Sequence, residues 1–289
     1  MQVADIEGTA FLFENFAVLF SNHQFLGKAI IITIIVLQIV CIQYFFRRNE
    51  FTTRNNLLPT LYYLSILLIT KSLTIISPFF FTSFFFLIII CIEIADNATK
   101  IKNNILWAGM LIALATCFDF SGIVLLLLFI VTLFVNQFSS IKAIGILCFG
   151  FLIFYFYLFS CVFFVDNLSA WITSFKEIKI LGVLNSTFEK PAREVGALIV
   201  LGVVYLFFVI KFKLLSESKI VIHRKRVATL NTRALLLIIC VFLSNSAYPT
   251  VLGYLSVPIA IFLAMLAQEK SPLWINEVIT TITLVALCL

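Results

Sequence analysis

Charge is scarce in this chain. Asp, Glu, Lys and Arg make up 12% of its 289 residues, against about 25% in soluble domains. Hydrophobic residues make up 62%. A water-soluble fold cannot hide that much apolar surface, so composition alone points to a membrane. Glycine and proline are also few, at 10 and 6. That argues against a transporter built from Gly- or Pro-broken helices around a central site. Only Pro258 falls deep inside an apolar run. Histidine is nearly missing. His23 and His223 are expected on opposite sides of the membrane, which excludes an imidazole metal site. Cys41, Cys91, Cys117, Cys148, Cys161, Cys240 and Cys288 all lie in or beside apolar runs, with no C-x-x-C pair. They read as small apolar packing residues, not as a disulfide framework or metal site. No metal and no cofactor is expected.

Catalytic signatures are missing too. There is no G-x-x-x-x-G-K, no G-x-S-x-G and no H-E-x-x-H. Ionisable groups inside a span are usually functional, and here the candidates are few. Glu93 and Glu277 fall at cytoplasmic edges and Asp119 at an outer turn. Gln38 is mid-span but neutral, and a single amide there bonds a neighbouring helix more often than a substrate.

What is present is a series of continuous apolar runs. Barrel strands would alternate apolar and polar residues, whereas runs such as Ala29–Phe46 and Ala143–Phe164 do not. The expected fold is all-α, a polytopic transmembrane helical bundle of about eight to ten spans. The runs are 29–46, 57–70, 78–92, 105–118, 122–135, 143–164, 195–210, 234–244, 251–267 and 274–289. Several fall short of the roughly 20 residues of a straight crossing. Their helices are expected to extend into the flanking loops; alternatively, the regions 57–92 and 105–135 each hold tilted, closely joined hairpins, with Lys71 and Asp119 near their tips.

Alternating ten spans puts 14 of the 20 basic residues on one side, which is therefore cytoplasmic. The whole chain, 1–289, reads as one integral membrane domain of the bacterial inner membrane. Residues 1–28 form an outer N-terminal segment in which Phe11–Phe20 lies as an interfacial helix; the alternative is a further transmembrane helix ahead of Met1. No basic stretch precedes the first apolar run, so a cleavable signal is not expected. Residues 165–194 form an outer loop whose Lys176, Lys179 and Arg193 are candidate contacts for lipid or a partner. Residues 211–233 form a basic cytoplasmic loop, densest at Arg224, Lys225 and Arg226, suited to anionic lipid or an acidic partner. It lacks a nucleic-acid reading module, so no nucleic acid is expected. Trp107, Trp171 and Trp274 fit an interfacial aromatic belt. Phenylalanine is abundant, at 33; the runs Pro78–Phe81 and Phe84–Phe86 are expected to face lipid or neighbouring helices, and an AT-rich genome filling lipid-facing positions is the preferred reading.

The stretch Asn56–Leu67 (NLLPTLYYLSIL), followed by Ile105–Val135 with its A-G-x-L-x-x-L-A segment, resembles a family of uncharacterised multi-pass inner-membrane proteins of Bacteroidota. The resemblance covers about Leu26 to Lys179 and implies no established activity. The hairpin is similar, more distantly, to the membrane core of GT-C glycosyltransferases, which use a polyprenyl-phosphate-linked sugar. That similarity implies an essential acid before the second helix, where Asp5, Glu7 or Glu14 stands. Ile6 separates Asp5 from Glu7, so the usual paired acids are not matched, and the large outer domain of those enzymes has no counterpart. Three functions follow as expectations: a non-catalytic subunit or scaffold in cell-envelope assembly with a membrane-protein partner, a GT-C-like transferase, and a transporter. The first is preferred.

Overall fold

The computed structural model describes residues 2–3, 23–49, 57–69, 75–76, 78–92, 98–119, 122–135, 141–164, 199, 202–203, 205–210, 221–243, 248–267 and 281. The fold is all-α apart from two two-residue strands, β1 (Gln2–Val3) and β2 (Ile75–Ile76). The helices are α1 (Gln24–Arg48), α2 (Leu58–Ile69), α3 (Pro78–Ile92), α4 (Ala98–Phe118), α5 (Ile123–Val135), α6 (Ile141–Phe164), α7 (Val221–Leu243) and α8 (Tyr248–Ala267). A further helical stretch lies at 205–210.

Local chemistry explains most of these bounds. Proline has no N–H to lose in a first turn, and Pro59 and Pro78 sit in the first turns of α2 and α3. Arg47 and Arg48 close α1, where their charges complement the helix dipole. Asn49 caps the same end, its Nδ2 donating to the Phe45 carbonyl at 2.8 Å. The region 105–135 is a helix pair and not one long rod. α4 stops at Phe118, the Gly122 N–H donates to the Asp119 carbonyl at 2.9 Å, and α5 begins at Ile123. A Cβ at Gly122 would press on the backbone of Ala115 and Thr116, so this return admits only glycine without adjustment. The region 57–92 is likewise divided, between Ile69 and Pro78; Lys71 lies outside the described residues.

Two described helical segments, Phe25–Arg48 and Ile141–Phe164, are long and apolar enough to cross a membrane. This is fewer than the eight to ten crossings expected. Length accounts for three of the others: α2, α3 and α5 have 12, 15 and 13 residues, or about 18–23 Å against a hydrocarbon core of about 30 Å.

The chain divides into two compact units. The first comprises Met1–Cys41 and Ile76–Leu181. Its centre is α4, which packs most extensively on α6 and also on α3 and α5. Small residues allow the close α4–α6 approach: Ala108, Ala113 and Ala115 are buried. A Cβ on Gly109 would meet the Leu147 carbonyl oxygen, and one on Gly150 the Leu106 carbonyl oxygen. Further along, Thr116 Oγ1 and Tyr155 Oη hydrogen-bond at 2.7 Å. Partners that advance together along both chains mean that α4 and α6 run in the same direction, with α5 as the return. The α3–α4 contact is aromatic. Phe81 stacks on Phe118 with ring centroids 4.9 Å apart, and Phe85 packs on the same ring at 5.7 Å. Phe80, Phe81, Phe85 and Phe86 are all buried. Of the two environments expected for the phenylalanine runs, these four side chains take the neighbouring helices and not the preferred lipid-facing one.

The second unit comprises Ile42–Ile75 and Gly182–Leu289. Its centre is α8, which packs on α2 and α7. Leu255, Val257, Ala260, Ile261, Phe262, Leu263, Ala264 and Leu266 are buried around its whole circumference. A helix apolar on every side belongs in a core. Pro258 lies within α8, and the helix continues past it. Phe208 stacks on Phe262 at 5.1 Å, which fastens the 205–210 stretch to α8.

Candidate functional site

In this structure the polar groups that matter are buried ones, since a polar atom held away from water needs a partner or costs free energy. On α1, Gln38 is 0% exposed. Its Nε2 donates to the Phe80 carbonyl at 3.3 Å and to Ser83 Oγ at 3.4 Å, both on α3. Ser83 Oγ in turn donates to the Phe80 carbonyl at 2.9 Å. The carbonyl can only accept, which fixes the amide with its nitrogen toward α3. Gln38 Oε1 is buried and hydrogen-bonds to none of the described groups. One turn on, Cys91 Sγ lies 3.3 Å from the Cys41 carbonyl and donates to it. At the C-terminal end of α3, next to Cys91, Asn104 Nδ2 of α4 donates to the Ile92 carbonyl at 2.5 Å, filling an acceptor that the helix end leaves open. Within the second unit, Thr60 Oγ1 donates to Gln43 Oε1 at 3.1 Å.

The second unit also holds a buried cation. Arg233 on α7 is 4% exposed. Thr229, one turn earlier on the same helix, is buried as well. Two residues before Arg233, the Asn231 carbonyl accepts from Tyr205 Oη at 2.6 Å, and Asn231 Oδ1 is buried without a hydrogen-bond partner among the described groups. A guanidinium is always charged and offers five donors. Buried in an apolar helix pack, it is the group most able to hold a carboxylate, phosphate or carbonyl oxygen in place.

Of the residues nominated from sequence, Arg224, Lys225 and Arg226 fall within the described residues. Asp5, Glu7, Glu14, Lys176, Lys179 and Arg193 lie outside the described residues. Arg224, Lys225 and Arg226 lie on the first turns of α7, which starts at Val221. The helix reaches back through the basic segment because Val221 to Arg233 contains no glycine or proline to stop it. Arg233 itself was counted among loop cations; its burial follows from its place twelve residues into α7. Trp107, placed in the aromatic belt, is exposed on α4. Among the described residues no group of three or more His, Cys, Asp and Glu side chains is placed to hold a metal.

The interhelical polar contacts so far described join α1 to α3, α3 to α4, α4 to α6, α1 to α2, and the 205–210 stretch to α7. Their chemistry is cohesion. No match was found among curated proteins or among solved structures. A family model does match, over residues 7–289, and the chain belongs to that family, described as a family of unknown function (DUF6427).

Proposed function

We propose that this protein is a multi-pass integral protein of the bacterial inner membrane that acts as a non-catalytic subunit or scaffold in cell-envelope assembly. The observation that carries the membrane part is the surface of α6. The helix is 24 residues of nearly unbroken apolar sequence, yet only 17% of its apolar window is buried inside the protein. Phe149, Leu152, Phe156, Tyr157, Phe163 and Phe164 are exposed along it. An apolar face of that size is not left to water by soluble monomers; lipid tails cover it at no cost. α1 repeats the pattern, with Ile32, Val36 and Val40 exposed on its outer side. The shorter helices complete about eight to ten crossings, as tilted or paired segments with the basic flanks cytoplasmic.

The scaffold part rests on how polar groups are used. Gln38, Ser83, Thr60, Thr116 and Tyr155 hold helices together, while α1 and α6 keep apolar faces available for lipid or a second membrane protein. Native mass spectrometry of the protein in mild detergent tests both parts. A stoichiometric protein partner supports the scaffold reading and names its pathway. A retained polyprenyl-phosphate lipid with no protein partner overturns it in favour of a GT-C-like transferase acting through Asp5, Glu7 or Glu14. Recovery in the soluble fraction without detergent overturns the membrane reading.

A further inference from the structure

Cys41 and Cys91 are fifty residues apart in sequence and lie on different helices. In the first unit their side chains meet. Cys91 Sγ is 3.3 Å from the Cys41 carbonyl oxygen, which sets the Cys91 thiol directly against residue 41. Both residues are half-buried, so a small reagent can approach them. Gln38, one turn earlier on α1, ties the same two helices through Phe80 and Ser83. The pair is therefore held in place by contacts other than its own. Two cysteines in direct contact on two helices are the first thing that disulfide exchange requires.

We propose that Cys41 and Cys91 form a dithiol site that a disulfide-class oxidant converts into an intramolecular disulfide joining α1 to α3. The chemistry balances in two steps. One cysteine sulfur, as its thiolate, attacks the oxidant's S–S bond and expels one thiolate, leaving a mixed disulfide. The second cysteine then attacks the sulfur of the first and expels the second thiolate. One S–S bond forms and one breaks. The cysteine pair loses two electrons and two protons, and the oxidant leaves as two thiols. The product closes the chain between residues 41 and 91 and locks α1 against α3. The reverse reaction with a thiol reductant restores the dithiol.

The test uses the full-length protein in mild detergent and an apolar aromatic disulfide, dipyridyl disulfide, as the oxidant. Remaining thiols are alkylated and the digest is read by mass spectrometry. Cys148 and Cys161 are exposed on α6 and serve as internal reporters of reagent access. They are thirteen residues apart on one helix, about 20 Å, and cannot bridge within one chain. The expected result is a linked peptide pair carrying Cys41 and Cys91, lighter by two hydrogens than the separate thiol peptides, while Cys148 and Cys161 carry the aryl adduct. In C91S, which keeps a small polar side chain at the position, the link is lost and Cys41 is recovered unlinked; in C41S the same holds for Cys91. Recovery of Cys41 and Cys91 as two separate aryl adducts overturns the proposal. So does their recovery as unreacted thiols while Cys148 and Cys161 are labelled.

Discussion

Gly109 and Gly150 are reciprocal. Each lies against the backbone of the other's helix, Gly109 on the Leu147 carbonyl and Gly150 on the Leu106 carbonyl. Neither position has room for a Cβ, because the atom it would strike is backbone and not the end of a flexible side chain. The α4–α6 contact, the most extensive in the first unit, is thus set by two missing methyl groups. Gly145 sits on the same helix with nothing within 4 Å of its Cβ position.

Gly109→Ala and Gly150→Ala are therefore expected to destabilise the first unit by about 1–3 kcal/mol, the range for overpacking, even after the gain in helix propensity. Gly145→Ala is expected to be neutral or stabilising by up to about 1 kcal/mol. Thermal unfolding in detergent, followed by loss of the monodisperse peak, separates the three. Equal behaviour of Gly145→Ala and Gly150→Ala would refute the close approach.

Gln38 and Ser83 form a second test. Interhelical hydrogen bonds in membranes contribute about 0.6 kcal/mol on average. A double-mutant cycle with Gln38→Met and Ser83→Ala is expected to give a coupling of about 0.5–1.5 kcal/mol. Additive single effects would mean that the amide does not bond α3.

Arg233 is buried and Lys102 on α4 is exposed. Arg233→Ala removes a desolvated charge and strands whatever acceptor it faces, an effect of about 3–5 kcal/mol. Lys102→Ala is expected to stay within about 0.5 kcal/mol of the parent. Denaturant titration of the two variants side by side decides. Similar midpoints would place Arg233 in solvent.

Leu152 stands at the centre of α6 and faces outward. If lipid covers that face, Leu152→Arg costs about 2.5–3.5 kcal/mol on insertion, and the variant's membrane-inserted fraction falls sharply. The same change on a water-facing helix would leave yield and location unchanged. Quantifying the inserted fraction after membrane flotation reads the difference.

Helix positions were legible in the sequence where the cause is local. Pro78 opens α3 and the polar residues after Ile92 follow its close, as the apolar run predicts. The turn after Phe118 was legible from Asp119 and Gly122, a charge and a glycine between two runs. α4 starts at Ala98, well before its apolar run at Ile105, because Lys100, Lys102, Asn103 and Asn104 carry good or tolerated helix formers and no breaker. Hydropathy reports the solvent a residue prefers, not the backbone it adopts, so a short apolar run marks only part of its helix, and α4 and α7 extend into the flanking polar segments as expected of such runs.

Composition and run length by themselves determined that the chain is helical, because its apolar runs are continuous and lack the alternation of half-buried strands. Only the tertiary structure decided which apolar face meets protein. Phe81 packs on Phe118, while Phe156 lies exposed; Leu147 is buried, while Leu152 is not. Lipid and a helix core are equally apolar, so no hydrophobic preference separates them. The meetings of Gln38 with Ser83, Cys41 with Cys91 and Gly109 with Leu147, and the burial of Arg233, come from steric fit and hydrogen bonding between helices far apart in the chain. That information is held in pairs of positions, and a single sequence read along its length does not contain the pairing.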